Sequence, residues 1–380
     1  MSQRVSVRPA LLRWACERSG KDIADFAARF RKLDAWVRAD EAPTLRQLEQ
    51  FAAATRTPVG YLFLDEPPVE RIPIPDFRTV AGRPVRRPSP DLLETIFICE
   101  QRQEWYREHA RAHGEVRHPF VGSARVGADV VATAATMRAT LGRADQPTEP
   151  TWEAALRALI GQADAAGVLV MCSGVVLNNN KRTLDPDEFR GFALVDELAP
   201  LVFVNGADSK SAQMFTVAHE LAHIWAGESA LSDVDALARD TNSVERWCNQ
   251  VAAEFLVPLA AFRAVYKPRA AVEVELRRLA RLFKVSTLVV LRRMLDAGGL
   301  TRAHFGEAYE REVERLAALE RKSGGGDFYL TTAARVSKRF ARALVASTLG
   351  GETLYRDAFR LLGVAKIETF RRLGESLEAR

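Results

Sequence analysis

Two histidines four residues apart, with a glutamate directly after the first, form the strongest chemical pattern in this sequence. They lie in FTVAHELAHIWAGE, residues 215–228. On a helix, side chains four apart share one face, so His219 and His223 can direct two imidazoles at one metal ion. Glu220 is rotated about a third of a turn away, where it can reach a metal-bound water without binding the metal. The spacing therefore predicts a zinc site with Glu220 as its base.

Catalytic zinc usually takes three protein ligands and leaves one position for water, so a third ligand is expected further along the chain. SVERWCNQVAAEFLVP, residues 243–258, is typical of an apolar-faced helix that ends before a proline. We predict Glu245 in its first turn as the third ligand, with Glu254 as the alternative. Asn249 shares the face of Glu245 and is expected to orient a ligand from behind. Cys248 is interpreted as a buried small residue, and the acids of the preceding segment as solvated side chains: Asp233, Asp235 and Asp240.

A second histidine pair has the same spacing in a different setting. HARAH, residues 109–113, lacks the glutamate after its first histidine and lies in the strongly polar stretch EWYREHARAHGE. Because a polar helix presents such side chains to solvent, we interpret His109 and His113 as exposed surface residues.

The elements that must position the zinc motif are predicted to be mixed. Three apolar runs are typical of strands: GVLVMC (167–172), FRGFALVD (189–196) and LVFVN (201–205). The helix with the motif follows the last run, and nearly everything after it is predicted to be helical apart from SGGGD at 323–327. This order predicts an α+β, predominantly helical fold in which a small sheet backs a helical metal site.

Proline density marks the clearest domain boundary. Residues 65–90 hold a large share of the 17 prolines, which excludes regular helix and favours an extended connector. Before it, Pro9 suits the first turn of a helix, and Thr44 with Gln47 forms a capping-box pattern. We therefore predict an N-terminal helical domain, a linker, a domain that carries the metal site and a basic helical extension at 1–66, 67–90, 91–300 and 301–380.

Composition narrows the class of protein. An apolar share of 47% and a charged share of 27% are typical of a soluble globular chain. No apolar run approaches the roughly 18 residues needed to span a bilayer, and no signal peptide is visible. The four cysteines are far apart and are expected to be reduced thiols, so we predict a cytoplasmic protein with no membrane partner. The net charge of +5 lies mostly in the last third. We interpret it as solvated helix faces, with a basic face that attracts nucleic acid or an acidic protein as the alternative.

The two helical motifs, together with RGFALVD and PLVFVN upstream, resemble the ImmA/IrrE family of metallopeptidases. The resemblance covers residues 152–262. It implies that His219, His223 and Glu245 bind Zn²⁺ and that Glu220 is catalytic. It also implies a protein substrate, a helix-turn-helix repressor whose cleavage would switch on stress or mobile-element genes. The alternative hypothesis is a DNA-binding regulator or antitoxin-like module whose zinc site is structural or sensory.

Residues 9–64 resemble a Cro/repressor-type helix-turn-helix of the XRE class. PTLRQLEQFAAATRTPVGYLF matches the late helices of that fold, whereas in RFRKLDAWVRAD the usual glutamate and glycine are replaced by Val37 and Ala39. The side chains there that could contact DNA are Arg31, Lys32 and Arg38, which suit phosphate contacts or plain surface equally well. Specific DNA binding and docking onto the peptidase or a partner both stay open.

The last third carries two further resemblances. ELRRLARLFKVSTLVVLRRMLDAGGL, residues 275–300, has a helix-turn-helix pattern, which we interpret as scaffold beside the catalytic helices before any DNA surface. The tail from Gly324 resembles the C-terminal extension of long family members. The sequence assigns it no chemistry.

Overall fold

The computed structural model describes residues 4–76, 87–232, 242–317, 333 and 335–378. The chain divides into two compact units, Met1–Pro73 with Arg86–Ile96 and Ile74–Val85 with Phe97–Arg380. The predicted break at 323–327 lies outside the described residues. Among the described helices, none is long and apolar enough to cross a membrane. The domain limits drawn from the sequence stay predictions.

The first unit is a bundle of short helices: α1 (Pro9–Arg18), α2 (Ile23–Ala27), α3 (Leu33–Val37), α4 (Leu45–Ala54) and a 3₁₀ turn (Val59–Phe63). Thr44 and Gln47 form the predicted capping box at the start of α4, each side chain bonded to the other's backbone N–H. Phe30 and Phe51 meet edge to face at 5.6 Å within a continuous apolar core. This unit therefore has a core of its own.

Two ion pairs hold segments downstream of the helices within the first unit. Arg18, buried at the end of α1, contacts Glu70 at 2.7 Å. Arg56 contacts Asp91. Glu70 and Asp91 thus attach their segments to the helical bundle.

Helices also dominate the second unit, where they surround one sheet. The helix α5 (Pro90–Ala112) contributes its first residues to the first unit and the remainder to the second. The next eight are α6 (Val130–Leu141), α7 (Trp152–Ala165), α8 (Lys210–Ala226), α9 (Ser243–Leu256), α10 (Leu259–Val265), α11 (Val272–Phe283), α12 (Thr287–Asp296) and α13 (Arg302–Ala317). They are followed by α14 (Lys338–Leu349), α15 (Tyr355–Leu362) and α16 (Ile367–Glu378).

The sheet has four strands in the order β1-β3-β2-β4: β1 (Leu169–Ser173), β2 (Gly191–Leu194), β3 (Leu201–Asn205) and β4 (Ala230–Ser232). β1 runs parallel to β3, whereas β2 is antiparallel to both β3 and β4. All three predicted strands are present. β1 and β2 are shorter than predicted, and β3 has the predicted bounds. The prediction that nearly everything after the zinc motif is helical missed β4, whose three residues are too few to show a period.

Both faces of the sheet are covered, which explains why its strands are apolar without alternation. On one face, Val170, Val202 and Val204 belong to the core that includes α8. On the other, Phe192 and Phe203 stack with ring centres 4.9 Å apart. The parallel pair β1–β3 accordingly forms an interior layer.

The edge of the sheet at β4 carries one more segment. The Leu231 N–H donates to the Pro75 carbonyl at 2.9 Å, and Asp76 forms a parallel bridge with Leu231. A short stretch of the proline-rich segment therefore covers part of an edge that would otherwise present unpaired backbone groups.

The C-terminal helices pack among themselves and onto the sheet domain. Phe359 and Phe370 meet at 5.7 Å, and α14 contacts α7 and β1. Arg102, buried in α5, donates to the Leu361 carbonyl at 2.9 Å. Asn178 donates to the Leu362 carbonyl at 3.1 Å. These bonds fix the extension to the second unit.

Candidate metal centre

The helix α8 that carries the histidines is buried around its whole circumference. Ser209 caps its start by accepting from the Ala212 N–H at 3.3 Å. Gly227 ends it in the left-handed conformation with φ +75°, where glycine has no steric cost. Between them, every residue from Gln213 to Trp225 is buried. A helix that is apolar on most sides and buried throughout holds its few polar side chains in fixed positions.

The structure brings His219, His223 and Glu245 together. The two Nε2 atoms are 3.1 Å apart. The Glu245 carboxylate reaches both rings, with Oε2 at 3.2 Å from His219 Nε2 and Oε1 at 3.1 Å from His223 Nε2. These three residues form a group of potential ligands in which every member is buried.

This group fits a zinc ion by chemistry and by size. Zinc–nitrogen distances of about 2.0–2.1 Å place tetrahedral donors about 3.3 Å apart, close to the triangle observed here. Two ring nitrogens and a carboxylate converging at that distance need a cation or a proton between them. Two imidazoles and one carboxylate are also a donor set found in catalytic zinc sites.

The charges within the triangle shift its pKa values in opposite directions. Burial alone would lower the pKa of His219, but the carboxylate of Glu245 outweighs it and raises that pKa. Burial lowers the pKa of His223. Burial would raise the pKa of Glu245, but the two histidines hold it well below its usual range. The site therefore holds Glu245 as a carboxylate, the form that binds a metal.

Asn249 occupies the place that the sequence predicted for an orienting residue. It lies one turn beyond Glu245 on α9, and its side chain contributes to the raised pKa of His219. A contact of this kind from outside the triangle would orient the His219 ring if that ring binds a metal.

Glu220 lies in a different environment from Glu245. It is 0% exposed, and burial raises the pKa of its carboxyl to about 8. Glu245 adds to the rise, whereas His219 and the nearby Ser232 hydroxyl oppose it. A carboxyl with a pKa near neutrality can both accept and release a proton, as a general base and acid must.

Two residues near Glu220 were not singled out from the sequence. A Cβ on Gly191 would lie 2.5 Å from Thr216 Cγ2 and 2.9 Å from Glu220 Oε1, so only glycine fits between β2 and α8. Ser232, paired with Gly191 in the sheet register, supplies the hydroxyl that interacts with Glu220. RGFALVD contains this glycine, but a lone glycine in a strand gives no indication of what approaches it.

The alternative ligand Glu254 lies elsewhere. Its carboxylate forms a buried ion pair with Arg293 at 3.0 Å and accepts from the Leu259 N–H at 3.2 Å. Cys248 is buried, and burial raises the pKa of its thiol well above the usual value. Three further acids considered from the sequence lie outside the described residues: Asp233, Asp235 and Asp240.

In the first unit, the side chains considered for DNA contact lie on the surface around α3. Lys32, at the start of that helix, pairs with Glu41 at 2.7 Å, and Arg38, at its end, pairs with Asp40 at 3.0 Å. Arg31 is exposed.

Comparison with protein families agrees with the geometry. Residues 163–295, which include the whole triangle and Glu220, match the peptidase M78 family model, described as the IrrE N-terminal-like domain. This match supports a metallopeptidase of the ImmA/IrrE type. Residues 336–376 match a domain of unknown function, DUF8813. A search of curated proteins found no match to the chain.

Proposed function

We propose that the chain is a zinc-dependent endopeptidase that cleaves a regulatory protein. The observation that supports this most directly is the triangle of His219, His223 and Glu245 with Glu220 beside it on one buried helix. The residues that would hold zinc and the residue that would move the proton are thus separate side chains. Their position inside the matched peptidase domain supports the same reading.

Each residue has a distinct part in the proposed reaction. Zinc, when bound, would acidify a water molecule and polarise the scissile carbonyl. His219, His223 and Glu245 would hold the ion. The Glu220 carboxylate would take the proton from the attacking water and then deliver it to the leaving amine. Burial raises the pKa of Glu220 to about 8, and the positive charge of a bound zinc ion would lower it towards the carboxylate form that this step needs.

For the substrate, we propose a helix-turn-helix repressor whose cleavage changes the expression of stress or mobile-element genes. HExxH chemistry acts on any peptide bond placed against the metal, so selectivity must come from surfaces outside the motif. The helical first unit, which resembles such a repressor, is the candidate surface. It could recruit the target through nearby DNA or through the target's own helices.

The test compares wild type with Glu220→Gln in the native host, with protein fragments identified by mass spectrometry. A repressor fragment formed only by wild type, while both proteins carry about one zinc in the buried site, is the expected result. His219→Ala is the companion variant and should lose that zinc. Scattered fragments from unrelated proteins would indicate a general peptidase.

A second function is favoured by the depth of the site. With His219, Glu220 and His223 at 0% exposure and Glu245 at 3%, the described conformation is closed to a polypeptide. Zinc could then stabilise or sense, in a DNA-binding regulator or antitoxin-like module. An unchanged biological output in Glu220→Gln, with zinc retained, would exclude the peptidase and favour this second function.

A further inference from the structure

In the folded chain, the two histidines of HARAH lie beside a glutamate from a distant part of the sequence. His109, half-buried, and His113, exposed, lie on α5 beside Glu352, which comes from the turn between α14 and α15. One potential ligand atom from each of the three residues lies within 4.8 Å of the others. The third member is 239 positions from His113 in the chain, so the sequence pattern alone could not include it.

The tautomer of His113 suits metal binding. Its Nδ1 lies 2.9 Å from the His109 carbonyl oxygen, which can only accept, so Nδ1 must carry the proton and donate. The Nε2 lone pair is then directed away from the helix and lies 3.9 Å from Glu352 Oε2. A backbone carbonyl that holds one ring nitrogen while the other faces a ligand site is a recurring arrangement of metal-binding histidines.

The His109 ring is fixed by its neighbours. Trp105 stacks on it at 5.1 Å with an angle of 12° between the planes, and the Trp105 indole N–H donates to Thr353 Oγ1 at 3.2 Å. The centres of the two imidazole rings are 4.0 Å apart. Burial and the neighbouring His113 lower the pKa of His109.

Glu352 is also held in place from behind. Its N–H donates to the Ser347 carbonyl at 3.0 Å, and its Oε2 accepts from the Ser347 hydroxyl at 3.3 Å. The carboxylate therefore projects from an anchored turn at the end of α14 and not from a free loop.

We propose that His109, His113 and Glu352 form a second metal site, on the surface, for a divalent transition ion such as Zn²⁺. Two imidazoles and one carboxylate favour zinc, nickel or copper over magnesium or calcium, and the exposed side leaves the remaining positions to water. The bound ion would join α5 to the extension that matches the domain of unknown function, residues 336–376. Its role would be to fasten this extension to the sheet domain. The inference does not depend on the proposed peptidase, because it uses none of its residues.

The test uses the full chain, freed of metal and dialysed against about 0.1 mM Zn²⁺. Wild type should hold one zinc more than His109→Ala/His113→Ala, and Glu352→Gln should weaken the extra site about tenfold or more. His304→Ala removes an exposed histidine outside the group and should retain the wild-type count. Added Zn²⁺, beyond the amount that fills the buried site, should raise the melting temperature of wild type but not that of the double variant.

Equal zinc counts in wild type and the double variant would overturn the proposal. Because His109 and His113 lie near the surface, the double variant should fold. A melting temperature in zinc-free buffer close to that of wild type checks this. The buried site gives a separate readout, since His219→Ala should lose its own zinc and leave the surface zinc in place.

Discussion

Three buried glutamates show how side-chain environment sets function at the scale of the residue. Glu245 faces two imidazoles and is held as a carboxylate. Glu254, nine positions later on the same helix, faces Arg293. Glu220 has a pKa of about 8 because burial dominates there. Three environments thus give one residue type three different states: a carboxylate beside two imidazoles, a structural ion pair and a carboxyl that titrates near neutrality.

The two glutamates of α9 give a paired prediction. Glu245→Ala should remove most of the zinc from the buried site because it deletes one of three ligands. Glu254→Ala should keep the zinc but lower the free energy of unfolding by about 3 kcal/mol, because it removes one of the two carboxylates that pair with the buried Arg293 among the described residues. Metal analysis and chemical denaturation of both variants separate the two effects. Full zinc in Glu245→Ala with loss in Glu254→Ala would reverse the assignment.

Ala39 supplies a second prediction at this scale. It adopts φ +63°, a left-handed conformation that costs an alanine about 1–2 kcal/mol. Ala39→Gly should therefore raise the free energy of unfolding by up to about 1 kcal/mol, once the greater freedom of glycine in the unfolded chain is subtracted. Ala53→Gly, at an exposed position inside α4, should instead lower the free energy of unfolding. Equal destabilisation by both would show that the conformation at Ala39 is not strained.

At the scale of elements, the sequence predicted those helices and strands that depend on local patterns. The zinc-motif helix, the first-turn position of Glu245 and the strand at residues 201–205 follow from periodicity, caps and apolar runs. β4 and the contact of Gly191 with Glu220 depend on pairing between distant segments, which no local period reports. The ion pair between Glu254 and Arg293 could not be predicted for the same reason, because nothing in the sequence near Glu254 indicates its partner.

The fit of α8 onto β2 predicts the effect of one methyl group. Gly191→Ala should push Thr216 and Glu220 from their positions, because the new Cβ would lie within 3 Å of both. We expect cleavage to fall about a hundredfold, as displacement of a catalytic group by an ångström can do, while zinc is retained. Gly161→Ala on α7, where a Cβ meets nothing within 4 Å, is the matched control and should leave activity unchanged. Wild-type cleavage by Gly191→Ala would mean that Glu220 has no catalytic role or tolerates the shift.

At the scale of the whole molecule, each unit has its own core, which predicts a separation of tasks. The core of the first unit draws on residues 5–62, and Glu70 pairs with Arg18 of the same unit. Deleting residues 1–73 should therefore keep zinc in the buried site but impair cleavage of the physiological target. Metal analysis tests whether the truncated chain retains zinc, and fragment detection in the host tests whether it still cleaves the target. Undiminished cleavage by the truncated chain would place substrate selection in the second unit.

The burial of the triangle of His219, His223 and Glu245 has a consequence for how fast a bound zinc ion would be lost. A chelator in solution cannot touch an ion whose ligands are at most 3% exposed, so release must wait until the protein opens. The rate of zinc loss from the buried site should therefore level off as chelator concentration rises and report the opening rate itself. At the surface site of His109, His113 and Glu352, the chelator can attack directly, and the rate should keep rising with its concentration. A buried-site rate that rises without limit would mean that the ion is reached without opening. If the rate levels off, the plateau gives the frequency at which the buried site becomes accessible to molecules in solution, a peptide included.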